Sequence, residues 1–232
     1  MDWEITQMDI KGTYLNVNLK EEVFMCQPEG FKDGSNQVCH LVKTIYGLKQ
    51  ARQEWNKELD SCLKHQGFEW PKADLCTYIW ENDHHIEIIM VWVNNLLLFT
   101  NKPDIMEKLK KEVQTLFNIT DLGNPQKIVG IEISIQGRQK ISQALYIENL
   151  LAKYNMMDCK PVSTPMDLSA DLDDIPELPK HSDLCKLYGS LVRSLMFLAI
   201  ATQPDIIYAV IKLMTSGPKP GQAHWVATKQ IL

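Results

Sequence analysis

Two adjacent carboxamides, Asn94 and Asn95, interrupt an apolar stretch that runs Val91-Trp92-Val93-Asn94-Asn95-Leu96-Leu97-Leu98-Phe99. A polar pair between two β-prone runs reads as a β-hairpin with its turn at Asn94-Asn95, because Asn tolerates turn backbone and bonds its own main chain. The pair also has a chemical reading. Asn keeps the shape of Asp and one carbonyl oxygen but loses the charge, and a hard divalent cation favours charged oxygen ligands. His84-His85 is a second pair of potential metal ligands, read here as a solvated turn. The six cysteines, Cys26, Cys39, Cys62, Cys76, Cys159 and Cys185, show neither C-x-x-C pairing nor a His at zinc-finger spacing. They read as reduced, mostly packing thiols.

The elements that must position these groups follow from periodicity. Residues 3–10 read as a buried strand, and residues 47–66 as a helix stopped by Gly67. Residues 76–80 and 86–93 alternate like strands, with 96–99 as the hairpin's return. Residues 104–117 carry Ile105, Leu109, Val113 and Leu116 at helical spacing, and 128–135 return to strand. From residue 146 onward the pattern turns helical, over 146–154, 187–201, 205–214 and from 221 to the end. That order predicts an α+β fold with helices on one face of an antiparallel sheet.

Composition sets the outer bounds. With 232 residues, 45% of them hydrophobic, the chain can bury the core of one large or two small domains. The longest apolar stretches, 86–99 and 191–201, read as too short or too interrupted to span a bilayer. The N-terminus lacks a basic-then-apolar signal pattern, which predicts a soluble intracellular protein of cytoplasm or nucleus. Acid gathers in residues 167–183, with Asp167, Asp171, Asp173, Asp174, Glu177 and Asp183, and reads as a flexible linker. Base gathers around Lys49, Arg52 and Lys57 and over residues 102–111. There Lys108, Lys110 and Lys111 read first as a solvated helix face and second as a nucleic-acid patch.

A series of short motifs then fixes a family resemblance. In order they are Gln7-Met8-Asp9-Ile10-Lys11 with Tyr14-Leu15-Asn16, Glu22-Val23-Phe24-Met25, Gln27-Pro28-Glu29-Gly30-Phe31, and Ile45-Tyr46-Gly47-Leu48-Lys49-Gln50 with Trp55. Further on come Asp121-Leu122-Gly123, Val129-Gly130-Ile131-Glu132-Ile133, Lys160-Pro161-Val162-Ser163-Thr164-Pro165, Pro204-Asp205-Ile206 and Pro220-Gly221-Gln222-Ala223-His224-Trp225. In this order, from Gln7 to the last residue, the chain resembles the reverse transcriptase of copia-type LTR retrotransposons.

The resemblance implies an antiparallel polymerase palm over residues 1–140 and the start of a thumb over 141–166. It implies an acidic linker over 167–185 and a helical connection segment over 186–232. The family's chemistry is nucleotidyl transfer with two Mg²⁺ ions about 3.5–4 Å apart, held by carboxylates. Its substrates are an RNA template, a DNA primer and a dNTP, and its polyprotein context includes integrase and RNase H. The resemblance places a metal ligand at Asp9, with the Ile10 carbonyl beside it, and the two other aspartates where Asn94 and Asn95 stand. It gives Tyr14 the role of screening against a ribose 2′-hydroxyl, Gln50 contact with the incoming nucleotide or template, and Val129-Gly130 the primer-grip turn. Tyr14 as a core ring and Gly130 as a bulge are their plain structural readings.

Three departures bear on activity. A site meant to carry about three negative charges carries one, and losing transition-state electrostatics of that kind costs several kcal/mol. The expectation is no useful polymerase activity and no productive Mg²⁺ binding. The family's fingers segment lies upstream of the Asp9 strand, yet only eight residues precede Asp9, so the fingers are expected to be absent. The family continues beyond the helix that starts at His224-Trp225, so the chain reads as a fragment. A net charge of −5 is awkward for holding a nucleic-acid duplex unless the basic residues are clustered. The readings left open are a non-catalytic module that holds RNA–DNA hybrid or a protein partner, and a residual enzyme completed by another polypeptide.

The substitutions share a direction. Asp to Asn at Asn94 and Asn95, Gly to Arg at Arg193 and Arg52, and Arg to Gln at Gln203, Gln230 and Gln53 can each arise from one G-to-A transition. This suggests the hypothesis of a deamination-type mutator acting on a silenced repeat. Codons of intact sister copies showing no excess of that transition would remove it.

Overall fold

Thr6, Met8 and Ile10 alternate with Ile5, Gln7 and Asp9, so Glu4–Ile10 forms a strand, β1, with two unlike faces. The computed structural model describes residues 3–82, 84–135, 140–167, 172, 175–179, 182–215 and 219–232. The chain divides into two units, residues 1–125 and 126–232.

In the first unit, β1 leads through a 3-10 turn (Thr13–Asn16) to a hairpin of β2 (Asn18–Cys26) and β3 (Val38–Lys43). Then come α1 (Ala51–His65), β4 (Thr77–Glu81), β5 (Ile86–Trp92), β6 (Asn95–Thr100), α2 (Pro103–Leu116) and β7 (Ile119–Gly123). Five strands form one antiparallel sheet in the order β4-β5-β6-β1-β7.

Register decides which side chains share a face. Met8 stands opposite Leu96 and Val91 opposite Leu96 on the other side, while Leu98 lies between Thr6 and Ile89. That face packs on Trp55, Leu59 and Leu63 of α1 and on Met106, Leu109 and Val113 of α2. Each such side chain, fully buried, contributes about 1.5–3 kcal/mol. The expected arrangement of helices on one face of an antiparallel sheet is what the first unit shows. The opposite face of β1 carries Gln7 and Asp9.

Backbone chemistry trims the expected helices. α1 starts at Ala51 rather than residue 47, because Gly47 adopts φ 97° in a turn closed by the Leu48 N–H on the Ile45 carbonyl. It stops where expected, with Gly67 at φ 88° in the left-handed conformation common after a helix end. α2 starts on Pro103, whose fixed φ suits the first helical turn. At the sheet's edge, Glu69 makes a two-hydrogen-bond bridge to Ile79 of β4, at 2.8 and 2.7 Å.

The second unit opens with β8 (Lys127–Ile128), β9 (Ile131–Ser134) and β10 (Lys140–Ser142), a three-stranded antiparallel sheet in the order β10-β9-β8. The single strand expected over 128–135 is therefore a hairpin. Val129 and Gly130 both have positive φ, 50° and 82°, which is the tight-turn backbone that folds one apolar run onto itself.

Helices follow: α3 (Ala144–Lys153), α4 (Asp183–Ala201), a 3-10 turn (Pro204–Ile206), α5 (Ile207–Thr215) and α6 (Gln222–Ile231). Ser182 caps α4, its hydroxyl accepting from the Cys185 N–H at 3.2 Å. By length and composition α4 is apolar enough to cross a membrane, which the reading of residues 191–201 as too short had not anticipated. Its Tyr188, Leu191, Leu195 and Leu198 are instead core of the second unit, with Val210 and Leu213 of α5.

Within the acidic stretch, Leu172 is buried, Glu177 bridges to Gly221, and Asp183 already belongs to α4. Asp171, Asp173 and Asp174 lie outside the described residues. Around Gly221 the chain is tightly keyed. Its N–H donates to His224 Nδ1 at 2.9 Å, so Nε2 carries the proton and donates to the Leu172 carbonyl at 3.0 Å. Cys26, Cys76 and Cys159 are exposed, which corrects the expectation of mostly packing thiols, and Cys39, Cys62 and Cys185 are half-buried.

Candidate functional site

Asp9 is cross-strand partner to Asn95, and Asn95 is partner to Trp92, so Asn95 is the first residue of β6 rather than part of the turn. The two-residue turn is Val93-Asn94, which corrects the expected Asn94-Asn95. Turn propensity favoured the Asn pair, but register overrides it. Of the two turn residues only Val93 has positive φ, 58°, a place that suits glycine and costs a β-branched residue about 1–2 kcal/mol.

Two hydrogen bonds hold that conformation. The Trp55 indole N–H donates to the Val93 carbonyl at 3.0 Å, and the Ile10 N–H donates to the Asn94 carbonyl at 2.8 Å.

Across the tip the side chains form a directed relay. Gln7 Nε2 donates to Asn95 Oδ1 at 3.1 Å, Asn95 Nδ2 donates to Asn94 Oδ1 at 3.3 Å, and Asn94 Nδ2 donates to Asp9 Oδ1 at 2.5 Å. The reverse amide orientation at Asn94 would set two oxygens against each other, so the carboxylate fixes the direction of the whole chain. The relay ends on its one formal charge, Asp9.

The structure thus brings together Asp9, Ile10, Asn94 and Asn95. Tyr14, in the 3-10 turn after β1, stacks edge-on against Tyr46 at 4.8 Å, and its carbonyl accepts from the Thr44 hydroxyl. It packs against the core of the first unit, as its plain structural reading has it, and also lines a groove with Val93. Gln50 stands before α1 and donates to Glu21 at 3.1 Å. Val129 and Gly130 form the β8–β9 turn of the second unit.

Two residues of the site were not singled out from sequence. Gln7 shares a strand face with Asp9, a placement that period-two alternation already contains. Trp55 was part of a motif, but nothing in a helical pattern says that its N–H reaches a hairpin tip.

The groove, of about 740 Å³, runs between α1 and strands β4 and β5 of the first unit. Its apolar lining includes Leu59, Val91 and Trp92, with Trp70, Lys49 and Arg52 also at its walls. Lys49 and Arg52 make no ion pair among the described residues. Tyr78 also lines it; burial first, and then the Asp60 carboxylate, push its phenol up to about 12, so it stays neutral.

Two of the other candidates, His85 and Lys110, are held in structural contacts. His85 meets Glu87 at 3.0 Å and stacks on Trp80, while Lys110 bridges Glu107 and Asp121 at 3.0 Å each.

The donor set does not fit a pair of Mg²⁺ ions. Such ions need several anionic oxygens, and here one carboxylate faces the N–H of a carboxamide, a donor that repels a cation. Among the described residues no group of three or more His, Cys, Asp or Glu side chains could hold a metal.

Comparison with known proteins gives this geometry a setting. Residues 1–168 match the model of the family described as reverse transcriptase (RNA-dependent DNA polymerase). The chain is 35% identical over 242 residues to the retrovirus-related Pol polyprotein from transposon TNT 1-94 of Nicotiana tabacum, covering 100% of this chain and 18% of that protein. It is 35% identical over 233 residues to the corresponding polyprotein from transposon RE1 of Arabidopsis thaliana, covering 99% of this chain and 16% of the relative. A putative transposon Ty5-1 protein of Saccharomyces cerevisiae is 29% identical over 229 residues, covering 97% of this chain and 74% of its own length. The chain spans less than a fifth of the first two relatives.

Proposed function

The chain belongs to the reverse transcriptase family and is similar along its length to Pol polyproteins of copia-type transposons, and from that premise we propose that it is a degenerate RNA-directed DNA polymerase domain that no longer transfers nucleotides. On this reading the five-stranded sheet with α1 and α2 is the palm, and the helices from α3 onward are thumb and connection. The family's two Mg²⁺ ions would be sought at Asp9, Asn94 and Asn95.

One observation carries the reading: the Asn94 amide nitrogen donates to Asp9 Oδ1 at 2.5 Å, so an oxygen of the remaining carboxylate already holds a hydrogen-bond donor. Two charges are gone, and the charge that remains is already engaged. Removing electrostatic stabilisation aimed at the transition state costs several kcal/mol, hence orders of magnitude in rate. Tyr14 would retain its screening position and Gln50 its nucleotide contact, but neither supplies charge.

The test is Mg²⁺- and Mn²⁺-dependent primer extension on an RNA template, comparing the chain with an Asn94→Asp, Asn95→Asp double variant. Extension by the unmodified chain would sink the proposal. Extension by the double variant alone would locate the defect at these two residues, and silence from both would place it outside them.

A second reading is favoured by the groove. Lys49 and Arg52, without an ion pair among the described residues, line the groove with Trp70 and Trp92 and combine phosphate-neutralising charge with stacking surfaces, the pairing used to hold nucleic acid without turnover. On this reading the domain binds RNA–DNA hybrid as a non-catalytic module. Its affinity falls steeply with salt, and salt-independent binding would exclude it.

A further inference from the structure

Every polar side chain at the hairpin tip points the same way, from Gln7 through Asn95 and Asn94 to Asp9. Asn95 and Asn94 each accept at the oxygen and donate from the nitrogen, with Gln7 as the first donor and Asp9 as the last acceptor. The main chain runs parallel to it, with Ile10 N–H on the Asn94 carbonyl at 2.8 Å and Asp9 paired with Asn95 across the strands. A hydrogen bond to an ionised acceptor is about twice as strong as a neutral one. The Asn94-to-Asp9 contact is the relay's charged link.

From this we infer that the Asn94 carboxamide has taken over the place of a cation at Asp9, fastening the tip of the β5–β6 hairpin to β1 without metal, so that an aspartate restored at position 94 would make the tip's stability depend on a divalent cation. The inference rests on the reading of Asp9, Asn94 and Asn95 as the former metal site.

The asymmetry between the two asparagines is the part that geometry adds. Asn94 gives its N–H to a carboxylate. Replacing it by aspartate removes that donor and sets a second carboxylate in its place, and like charges at contact repel. Asn95 accepts from Gln7 and gives only a longer bond, 3.3 Å, to another amide oxygen. Its aspartate variant keeps the Gln7 bond and meets no carboxylate in the present contacts. The two replacements are chemically identical but physically unequal.

Thermal unfolding of the full chain and of Asn94→Asp, Asn95→Asp and Asn94→Leu, each in chelator and in millimolar Mg²⁺, tests this. The unmodified chain is expected to melt at the same temperature in both buffers. Asn94→Asp should melt about 3–8 °C lower in chelator and recover most of the difference in Mg²⁺, with Asn95→Asp shifted less. Asn94→Leu, which loses the donor without adding charge, should drop in both buffers with no recovery.

A chain stabilised by Mg²⁺ as strongly as its Asn94→Asp variant would overturn the inference, as would an Asn94→Asp variant that loses nothing in chelator. Primer extension by an unmodified chain whose melting ignores Mg²⁺ would count against the inactivity reading and leave the fastening intact. A cation-stabilised chain that fails to extend would do the reverse.

Discussion

The indole N–H of Trp55 donates across 3.0 Å to the carbonyl of Val93, tying a helix on the core face of the sheet to the left-handed residue at the tip of the β5–β6 hairpin. Trp55 is 1% exposed, so this bond is shielded from solvent on the helix side. Trp55→Phe keeps most of the ring volume and removes the donor. It is expected to lower stability by about 1–2 kcal/mol, read as a lower urea midpoint with unchanged slope. An unchanged midpoint would mean that the bond holds nothing.

Val93 is strained by its own backbone, at φ 58°. Val93→Gly relieves about 1–2 kcal/mol of left-handed strain and adds about 0.5–1 kcal/mol of unfolded-chain entropy. Some burial is lost as well, because the residue is only 37% exposed, and this trims the gain. A small net gain is expected, seen as a higher melting temperature, whereas a loss would show that the valine's packing outweighs its strain.

Asp121 and Lys110 join β7 to α2 at 3.0 Å. Partial burial works to raise the Asp121 carboxyl, but the Gly123 N–H and then the Lys110 ammonium outweigh it and hold it below its ordinary value of 3.8. A carboxyl that titrates lower in the folded state stabilises fully above pH 3.8, and the contribution is lost as pH falls through the folded value. Acid titration of stability should therefore be shallower in Asp121→Asn, which should cost about 0.5–1 kcal/mol at neutral pH. Identical acid limbs for the two proteins would refute the assignment.

Gly221 has an ordinary φ of −109°, so its need for glycine is steric. A Cβ there would stand 2.6 Å from the Pro176 carbonyl oxygen and 2.3 Å from Ile175 Cγ2. Gly221→Ala should destabilise the second unit by about 2 kcal/mol or more, with slower-protected amides in α6 exchanging faster. Wild-type exchange in α6 would show that the segment before it yields instead.

If the groove holds RNA–DNA hybrid, Lys49→Ala with Arg52→Ala should weaken binding across all sequences. The slope of log affinity against log salt should become shallower by about 1–2 units. A slope that does not move would place the nucleic-acid contact elsewhere.

The sheet of the first unit was legible because its strands alternate and its helices repeat, and both patterns come from one-sided burial. Strand β1 and helix α2 lie within a residue or two of where periodicity sets them. The errors fall where backbone geometry and local pattern disagree. Residues 128–135 are apolar enough for one strand, and only the positive φ at Val129 and Gly130 folds them into a hairpin. Asn94-Asn95 has turn chemistry, yet pairing of Asn95 with both Trp92 and Asp9 moves the turn one residue back. Asp9 and the asparagines were legible as a group through the order of motifs, whereas the relay that links them depends on rotamers. Gln7 joined it only once β1 and β6 were in register.

The bridge from Glu69 to Ile79 has a consequence for how the protein behaves in concentrated solution. Strand β4 is an end of the five-stranded sheet and would otherwise offer a free row of main-chain donors and acceptors to another molecule. Glu69 takes up the Ile79 N–H and carbonyl itself, leaving the middle of that edge with nothing to template. Edge-to-edge pairing through Ile79 of β4 is thereby blocked from within the same unit.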